Sequence, residues 1–277
     1  MYKKIISVAI IDMYNNTPNQ GMRCIKQLLS DGLAEQDVEF NYTVFDLRGQ
    51  NEIPDLSYDI YISTGGPGSP LAGNGQEWEA KYKNWLVSVF DWNKIKENKK
   101  YVFMICYSFQ LMAHLFQIAE VKLRKSSSFG ITPIHKTEDG KKDILYKDLS
   151  DPFYAADFRD WQVIQPKHEI MEQYGFKILS LEKIRPHVPL ERAITGIRLN
   201  NEIVAVQFHP EADAEGMFFH FSKPEQKNLI VKNHGIAKYQ QIIERLKRPD
   251  YIEKTYLTLI PNFLMEASLN CLENELV

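Results

Sequence analysis

Cys106 stands in the stretch Met104-Ile105-Cys106-Tyr107-Ser108-Phe109-Gln110. Before it runs an apolar, β-rich segment starting at Lys100. After it, Phe109, Leu111, Met112, Leu115 and Phe116 recur at helical spacing. A cysteine at such a strand-to-helix turn is lifted out of the backbone, and the helix N-terminus favours its thiolate. The N–H of Tyr107 would face any oxyanion that the sulfur creates. The stretch alone leaves open that Cys106 is a small core residue. A second stretch, Gln207-Phe208-His209-Pro210-Glu211, follows an apolar run; Pro210 stops the ladder, so His209 and Glu211 sit at a strand end. A third, Gly65-Gly66-Pro67-Gly68-Ser69-Pro70, makes a tight loop after another strand-like run. It lacks the Gly-Lys-Ser/Thr ending of a phosphate loop and the spacing of a dinucleotide fingerprint.

Together these residues supply what thiol-based acyl transfer needs. Cys106 is the expected nucleophile and His209 its proton acceptor, later the acid for a leaving amine. Glu211 would hold the imidazole tautomer and stabilise its charged form. The N–H groups of Gly66 and Tyr107 would form the oxyanion hole, glycine allowing close backbone approach.

Such residues must be brought to one edge by the elements around them. Ile5 to Ile11 is almost wholly apolar, as expected of a strand buried on both faces of a parallel sheet. The polar loop Asp12 to Gly21 leads to a helix over Met22 to Leu33. Val38 to Leu47 and Tyr58 to Thr64 read as further strands, and Trp78 to Phe90 as a helix. Beyond the Cys106 unit the pattern changes to short β segments at Gly130–Ile134, Trp161–Ile164 and Phe176–Leu181. Ala193–Leu199 and Glu202–Phe208 flank Asn200-Asn201, a hairpin signal. Helices are expected over Glu215–Phe221, Ile236–Leu246, Tyr251–Leu259 and Phe263–Leu276. The fold class that follows is α/β, with an open, mostly parallel, flavodoxin-like sheet and helices on both faces. A small antiparallel region and a helical C-terminal extension complete it, with residues 1–215 as the main domain and 216–277 packed on it. In such sheets ligands bind at the carboxyl edge of the strands.

The 277 residues are 44% hydrophobic and 25% charged, with a net charge of −3. This is an ordinary globular composition, with no basic patch that would bring nucleic acid. Cys24, Cys106 and Cys271 are too few and too widely spaced for a disulfide framework or a zinc site, which points to a reducing cytoplasm. The apolar run at the N-terminus is short and closed by Asp12, so neither a leader nor a membrane span is expected. His168, Glu169 and Glu172 read as a solvated helix start rather than a metal site. No metal and no cofactor are expected.

The ordered set Ser63-Thr64-Gly65-Gly66-Pro67, Cys106 to Gln110, and Gln207-Phe208-His209-Pro210-Glu211 resembles the class I (triad) glutamine amidotransferases. The usual motifs there are Ser-Gly-Gly-Pro, Gly-x-Cys-x-Gly-x-Gln and Gln-x-His-Pro-Glu, and the glutaminase domain of GMP synthase is the nearest in flavour. The resemblance implies hydrolysis of the glutamine side-chain amide through a γ-glutamyl thioester, giving ammonia and glutamate. It also implies that Gln110, with Gly65, faces the substrate. Met104 and Ser108 replace the two elbow glycines, and methionine must fit where the turn is crowded. The segment that would hold the α-amino and α-carboxylate groups corresponds to Phe158-Arg159-Asp160-Trp161, a poor match. Two further readings follow: a γ-glutamyl hydrolase or peptidase, and a catalytically silent regulatory subunit with the same fold. The implied partners are a small glutamine-like substrate, a synthase chain or bound acceptor for the ammonia, and a second copy in a homo-oligomer.

Overall fold

The computed structural model describes residues 4–33, 38–187, 189 and 191–273. β1 (Lys4–Asp12) is flanked by β2 (Val38–Asp46) and β3 (Ile60–Ser63), both parallel to it. β4 (Tyr101–Ile105) pairs in parallel with β3, and β9 (Ile203–Val206) in parallel with β4. The apolar run of β1 divides by side-chain alternation. Ile6, Val8 and Ile10 join one core, and Ala9 and Ile11 join another on the opposite face. α1 (Gln20–Asp31) covers the first face through Ile25, Leu28 and Leu29, with Asn19 as its N-cap. The second face is covered by α3 (Glu77–Ile95), which contributes Trp78, Tyr82, Trp85, Leu86 and Val89, and by α4 (Tyr107–Leu115). A short α2 (Leu47–Gln50) follows β2.

The sheet continues antiparallel through β8 (Ile194–Arg198), β6 (Phe153–Ile164), β5 (Glu120–Lys136) and β7 (Lys177–Glu182). β7 also pairs with β8, so this half closes on itself rather than staying open. Nor is it small: β5 spans 17 residues and β6 spans 12. Only fragments of these two strands stand out in the sequence. Val121 to Ser128 alternates poorly because the strand is largely solvent-facing there, and the β5–β6 register shifts between Leu123 and Ser128. The Asn200-Asn201 hairpin is present with a longer loop, Leu199 to Glu202, in which Asn200 Oδ1 accepts from the N–H groups of Glu202 and Ile203.

α5 (Glu138–Lys142) and α6 (His168–Tyr174) are short connectors. Five helices follow β9: α7 (Ala214–Ser222), α8 (Pro224–His234), α9 (Ile236–Leu246), α10 (Ile252–Tyr256) and α11 (Leu259–Glu273). α8 is an addition to the expected set of helices, and Asn274 to Leu276 of the expected last helix lie outside the described residues. α7 to α10 cover the β5–β6 ribbon with Phe221, Ile230, Ile242, Leu246 and Ile252. α11 lies against the central sheet instead, on the α1 face. Among the described residues no helix is long and apolar enough to cross a membrane, and no His/Cys/Asp/Glu group is arranged to hold a metal ion.

Candidate active site

The parallel register places the three stretches side by side. Ser63 lies opposite Met104, and Ile105 opposite Val206, so each chain leaves the sheet at nearly the same level. β3 then enters the Gly65 loop, β4 turns at Cys106, and β9 runs on to His209. The Cys106 N–H still donates to Val206 O at 2.8 Å, and the His209 N–H is held by Ala156 O of β6 at 2.8 Å. The backbone of Cys106 has φ 46° and ψ −93°, a strained turn of the kind that costs on the order of 1–3 kcal/mol and persists only when the surroundings impose it. α4 begins at the next residue, and its first N–H groups have no partner within the helix.

Buried hydrogen bonds impose that turn. Ser108 Oγ donates to Thr64 O at 2.6 Å and lies 2.7 Å from Ser63 Oγ, to which the Tyr82 hydroxyl donates at 3.1 Å. The residue at the second elbow position thus ties α4 to the end of β3. Met104 is accommodated because its neighbours on the flanking strands are small, Ser63 on β3 and Ala205 on β9. Its side chain is fully buried in the core beneath α3 and α4, while Cys106 belongs to the core on the other face.

His209 Nδ1 lies 2.8 Å from Glu211 Oε1, and Cys106 is near enough to act on the imidazole electrostatically. Burial acts to lower the imidazole pKa, but the Glu211 carboxylate and the Cys106 sulfur overcome it and hold the group well above its ordinary value. The rise favours the protonated form of the ring. Glu211 is 1% exposed, and its Oε2 has no hydrogen-bond partner among the described residues. Tyr14, on the loop after β1, brings its hydroxyl beside Oε1 of Glu211: both atoms crowd the space that a side chain on Gly21 would need. Burial first, then the electrostatic influence of Glu211, raises the Tyr14 pKa.

The glycine loop has no spare room. A Cβ on Gly65 would lie 2.9 Å from His209 Cε1, and one on Gly66 would collide with Met13 O. Arg48 clamps the loop, donating to Met13 O at 2.9 Å and Pro67 O at 2.8 Å while its guanidinium lies 4.5 Å from the centre of the Tyr107 ring. Three segments that would shape an oxyanion hole are joined by this one side chain.

Gln110 is buried and turned inward. Its Nε2 donates to Trp161 O at 3.2 Å and to Gln207 Oε1 at 3.1 Å, and Gln207 Nε2 donates to Cys106 Sγ at 3.6 Å. Gln110 thus reaches the sulfur through Gln207, not directly. Arg159 and Asp157 pair with each other at 3.0 Å, and Glu182 binds both Arg159 and Arg124. Sequence reasoning missed Tyr14, Arg48 and the role of Gln207. Only Gln207 left a signal, as the first residue of its motif; the other two are loop and short-helix residues joined to the site by folding alone.

Comparisons with known proteins agree with this fold. No curated protein matches the sequence significantly. In fold the chain is similar to a glutamine amidotransferase from Thermotoga maritima, at 17% identity and TM-score 0.63, covering 94% of this chain and 96% of that one. It is similar to the Trypanosoma brucei CTPS glutaminase domain with bound acivicin, at 15% identity and TM-score 0.58, covering 95% and 94%. It is also similar to a protein described as a GMP synthase subunit from Thermoplasma acidophilum, at 13% identity and TM-score 0.55, covering 95% and 94%. The model of the family "Glutamine amidotransferase class-I" matches residues 22–219, from α1 through most of α7 and across both the elbow and the His209 loop. The chain belongs to the class-I glutamine amidotransferase family.

Proposed function

We propose that this chain hydrolyses the side-chain amide of glutamine through Cys106, His209 and Glu211 and passes the ammonia to an acceptor, held by a synthase partner or bound beside the site. The observation that carries this reading is the setting of His209, whose Nδ1 lies 2.8 Å from Glu211 Oε1 and whose pKa is raised by both Glu211 and Cys106. The sulfur attacks the amide carbon, and the N–H groups of Gly66 and Tyr107 receive the oxyanion. As the C–N bond breaks, His209 gives its proton to the nitrogen and ammonia leaves a γ-glutamyl thioester. Water then attacks the thioester carbon, loses its proton to His209 and displaces the sulfur as glutamate departs.

A second reading, hydrolysis of a substituted γ-glutamyl amide, is favoured by one feature. A cavity of about 470 Å³ opens beside His209 and Glu211, more space than an unsubstituted amide nitrogen needs. Both readings use the same thioester. Incubation with glutamine and with γ-glutamyl amides, followed by intact-mass measurement, should reveal a γ-glutamyl adduct on Cys106. In Cys106→Ala turnover should fall by on the order of 10³-fold or more. Turnover near the wild-type rate in that variant would sink the mechanism.

A further inference from the structure

We propose that the recess between the β5–β6 ribbon and α9 is a binding site for a phosphoryl dianion, set apart from Cys106 and independent of the chemistry proposed there. The recess has a volume of about 210 Å³ and lies between β5, the chain just after β7, and one face of α9. Neither Cys106 nor His209 belongs to its lining. Among the described residues that lining carries four cations, Lys183 and Arg185 after β7 and Lys238 and Arg245 on α9. Only two carboxylates, Asp157 and Glu182, stand against them. Lys238, Gln241 and Arg245 follow one another at three- and four-residue spacing, so a single face of α9 presents all three.

Both carboxylates are already committed. Asp157 accepts from Arg159 Nε at 3.0 Å and from Ser128 Oγ at 2.7 Å. One oxygen of Glu182, Oε2, accepts from Arg124 at 3.2 Å, from Arg159 at 3.4 Å and from Arg185 at 3.3 Å. Three guanidinium groups therefore share two carboxylates. Lys183, Lys238 and Arg245 add three further charges, with no carboxylate in ion-pair reach among the described residues. Arg245 is held in place by the Ile131 carbonyl, to which it donates, and by the Tyr154 ring, 5.5 Å from its guanidinium. Lys238 donates to Gln241 Oε1 at 3.3 Å. Burial, then the charges of Arg245 and Lys183, hold the Lys238 pKa below its ordinary value, and Asp157 opposes them. Cations crowded in this way oppose folding unless an anion sits among them.

Size and donors choose the anion. Small-molecule sites run from about 300 to 1,000 Å³, so this recess takes a charged headgroup rather than a whole cofactor. A phosphoryl group brings a charge of about −1.5 to −2 and three strong acceptor oxygens, whereas a carboxylate brings one charge and two oxygens. Lysine ammoniums and a fixed guanidinium are the groups that hold phosphate. Free phosphate and the headgroup of a phosphomonoester share this chemistry.

The test is calorimetric titration of the full-length protein with inorganic phosphate, glycerol 3-phosphate and acetate, in a chloride buffer at fixed ionic strength. Saturable one-to-one binding of a phosphoryl compound is expected, and the tighter of the first two names the source. Acetate should bind more weakly than either. Lys238→Met should weaken the phosphoryl ligand by about tenfold or more, the scale of one hydrogen bond to a charged group. Lys183→Gln changes an exposed side chain after β7 and should weaken it by about twofold to fivefold. Lys94→Gln, an exposed lysine on α3, and Cys106→Ala should both bind as the wild type does. Lys183→Gln decides where Lys238→Met fails to fold. Heat that never saturates, acetate bound as tightly as phosphate, or wild-type affinity in Lys183→Gln would overturn the site. Loss of binding in Cys106→Ala would place the anion at the elbow and overturn it as well, whereas a failed glutaminase assay would leave it standing.

Discussion

His209 and Glu211 illustrate how two residues acquire an opposed pair of effects. Burial alone would lower the imidazole pKa, yet the carboxylate 2.8 Å away and the nearby Cys106 raise it well above the ordinary value. Since the folded value exceeds the unfolded value of about 6.5, the stabilisation is fully present below that pH and is lost as pH rises through the folded value. Glu211→Gln removes the main source of the rise. The variant should be less stable by about 1.5–3 kcal/mol near pH 6, the scale of a hydrogen bond to a charged group, and the deficit should narrow towards alkaline pH. Thermal melts of both proteins from pH 6 to 10 check this; a constant offset would detach His209 from the linkage. The basic limb of kcat/KM should shift to lower pH in the same variant.

The cysteines give a second prediction at this scale. Cys24 is 1% exposed, and burial pushes its thiol up to about 11. It should therefore resist iodoacetamide at pH 7, where the reactive species is the thiolate. Cys106, beside the His209 imidazolium and at the start of α4, should be alkylated first, and His209→Asn should slow that reaction. Peptide mapping after a short exposure reads both outcomes. Modification of Cys24 at an equal rate would show that the elbow confers no special reactivity.

At the scale of elements, the elbow works only if β3, β4 and β9 keep their register and the loops beyond them are pinned. Most of this was legible: the apolar runs named the parallel strands, and the motifs at their carboxyl ends named Cys106, His209 and Glu211. What was not legible was how the loops are fastened. Arg48 lies in a four-residue helix, yet it holds Met13 O and Pro67 O and stacks on Tyr107. Arg48→Met keeps the bulk and loses the hydrogen bonds. A misplacement of about 1 Å near a reacting centre can cost about 10²-fold, so kcat should fall on the order of 10- to 100-fold with a smaller change in KM. Stopped-flow measurement of adduct formation on Cys106 separates this from slower deacylation. Similarly, Met104 reads as an obstacle in the sequence, and becomes ordinary core once Ser63 and Ala205 are seen on either side of it.

At the scale of the molecule, the antiparallel half and the cavity were beyond sequence reading for related reasons. β5 is solvent-facing over much of its length and so has no clean alternation, and the cavity is lined by side chains from α1, β5, β6, α7 and α8 that meet only after folding. The C-terminal helices were expected to pack on the rest as an appendage. α11 does more than this: Leu259, Ile260, Phe263, Leu264 and Ala267 share one core with Ile6, Val8, Ile10 and Phe103.

That shared core makes a testable claim about cooperativity. The Phe263 ring lies 5.1 Å from Phe103, which sits on β4 three residues before Cys106. Glu266 reaches Arg198 of β8 at 3.2 Å, and Arg198 in turn holds Asp143 at 2.7 Å, so α11 is tied to the sheet by charge as well as by apolar contact. Phe263 is 1% exposed, and truncating a buried phenylalanine to alanine costs about 3–5 kcal/mol through lost transfer energy and the cavity left behind. All the tryptophans, at 78, 85, 92 and 161, lie outside α11, so fluorescence reports the unfolding of the sheet region and not of the helix. In Phe263→Ala the fluorescence and far-ultraviolet dichroism transitions in urea should move together to lower denaturant, with an unchanged slope. A helix that merely leans on the domain would lose dichroism first and leave the tryptophan transition where it was. The joint shift is expected because the core that α11 completes is the same one that holds β4 in place beneath Cys106.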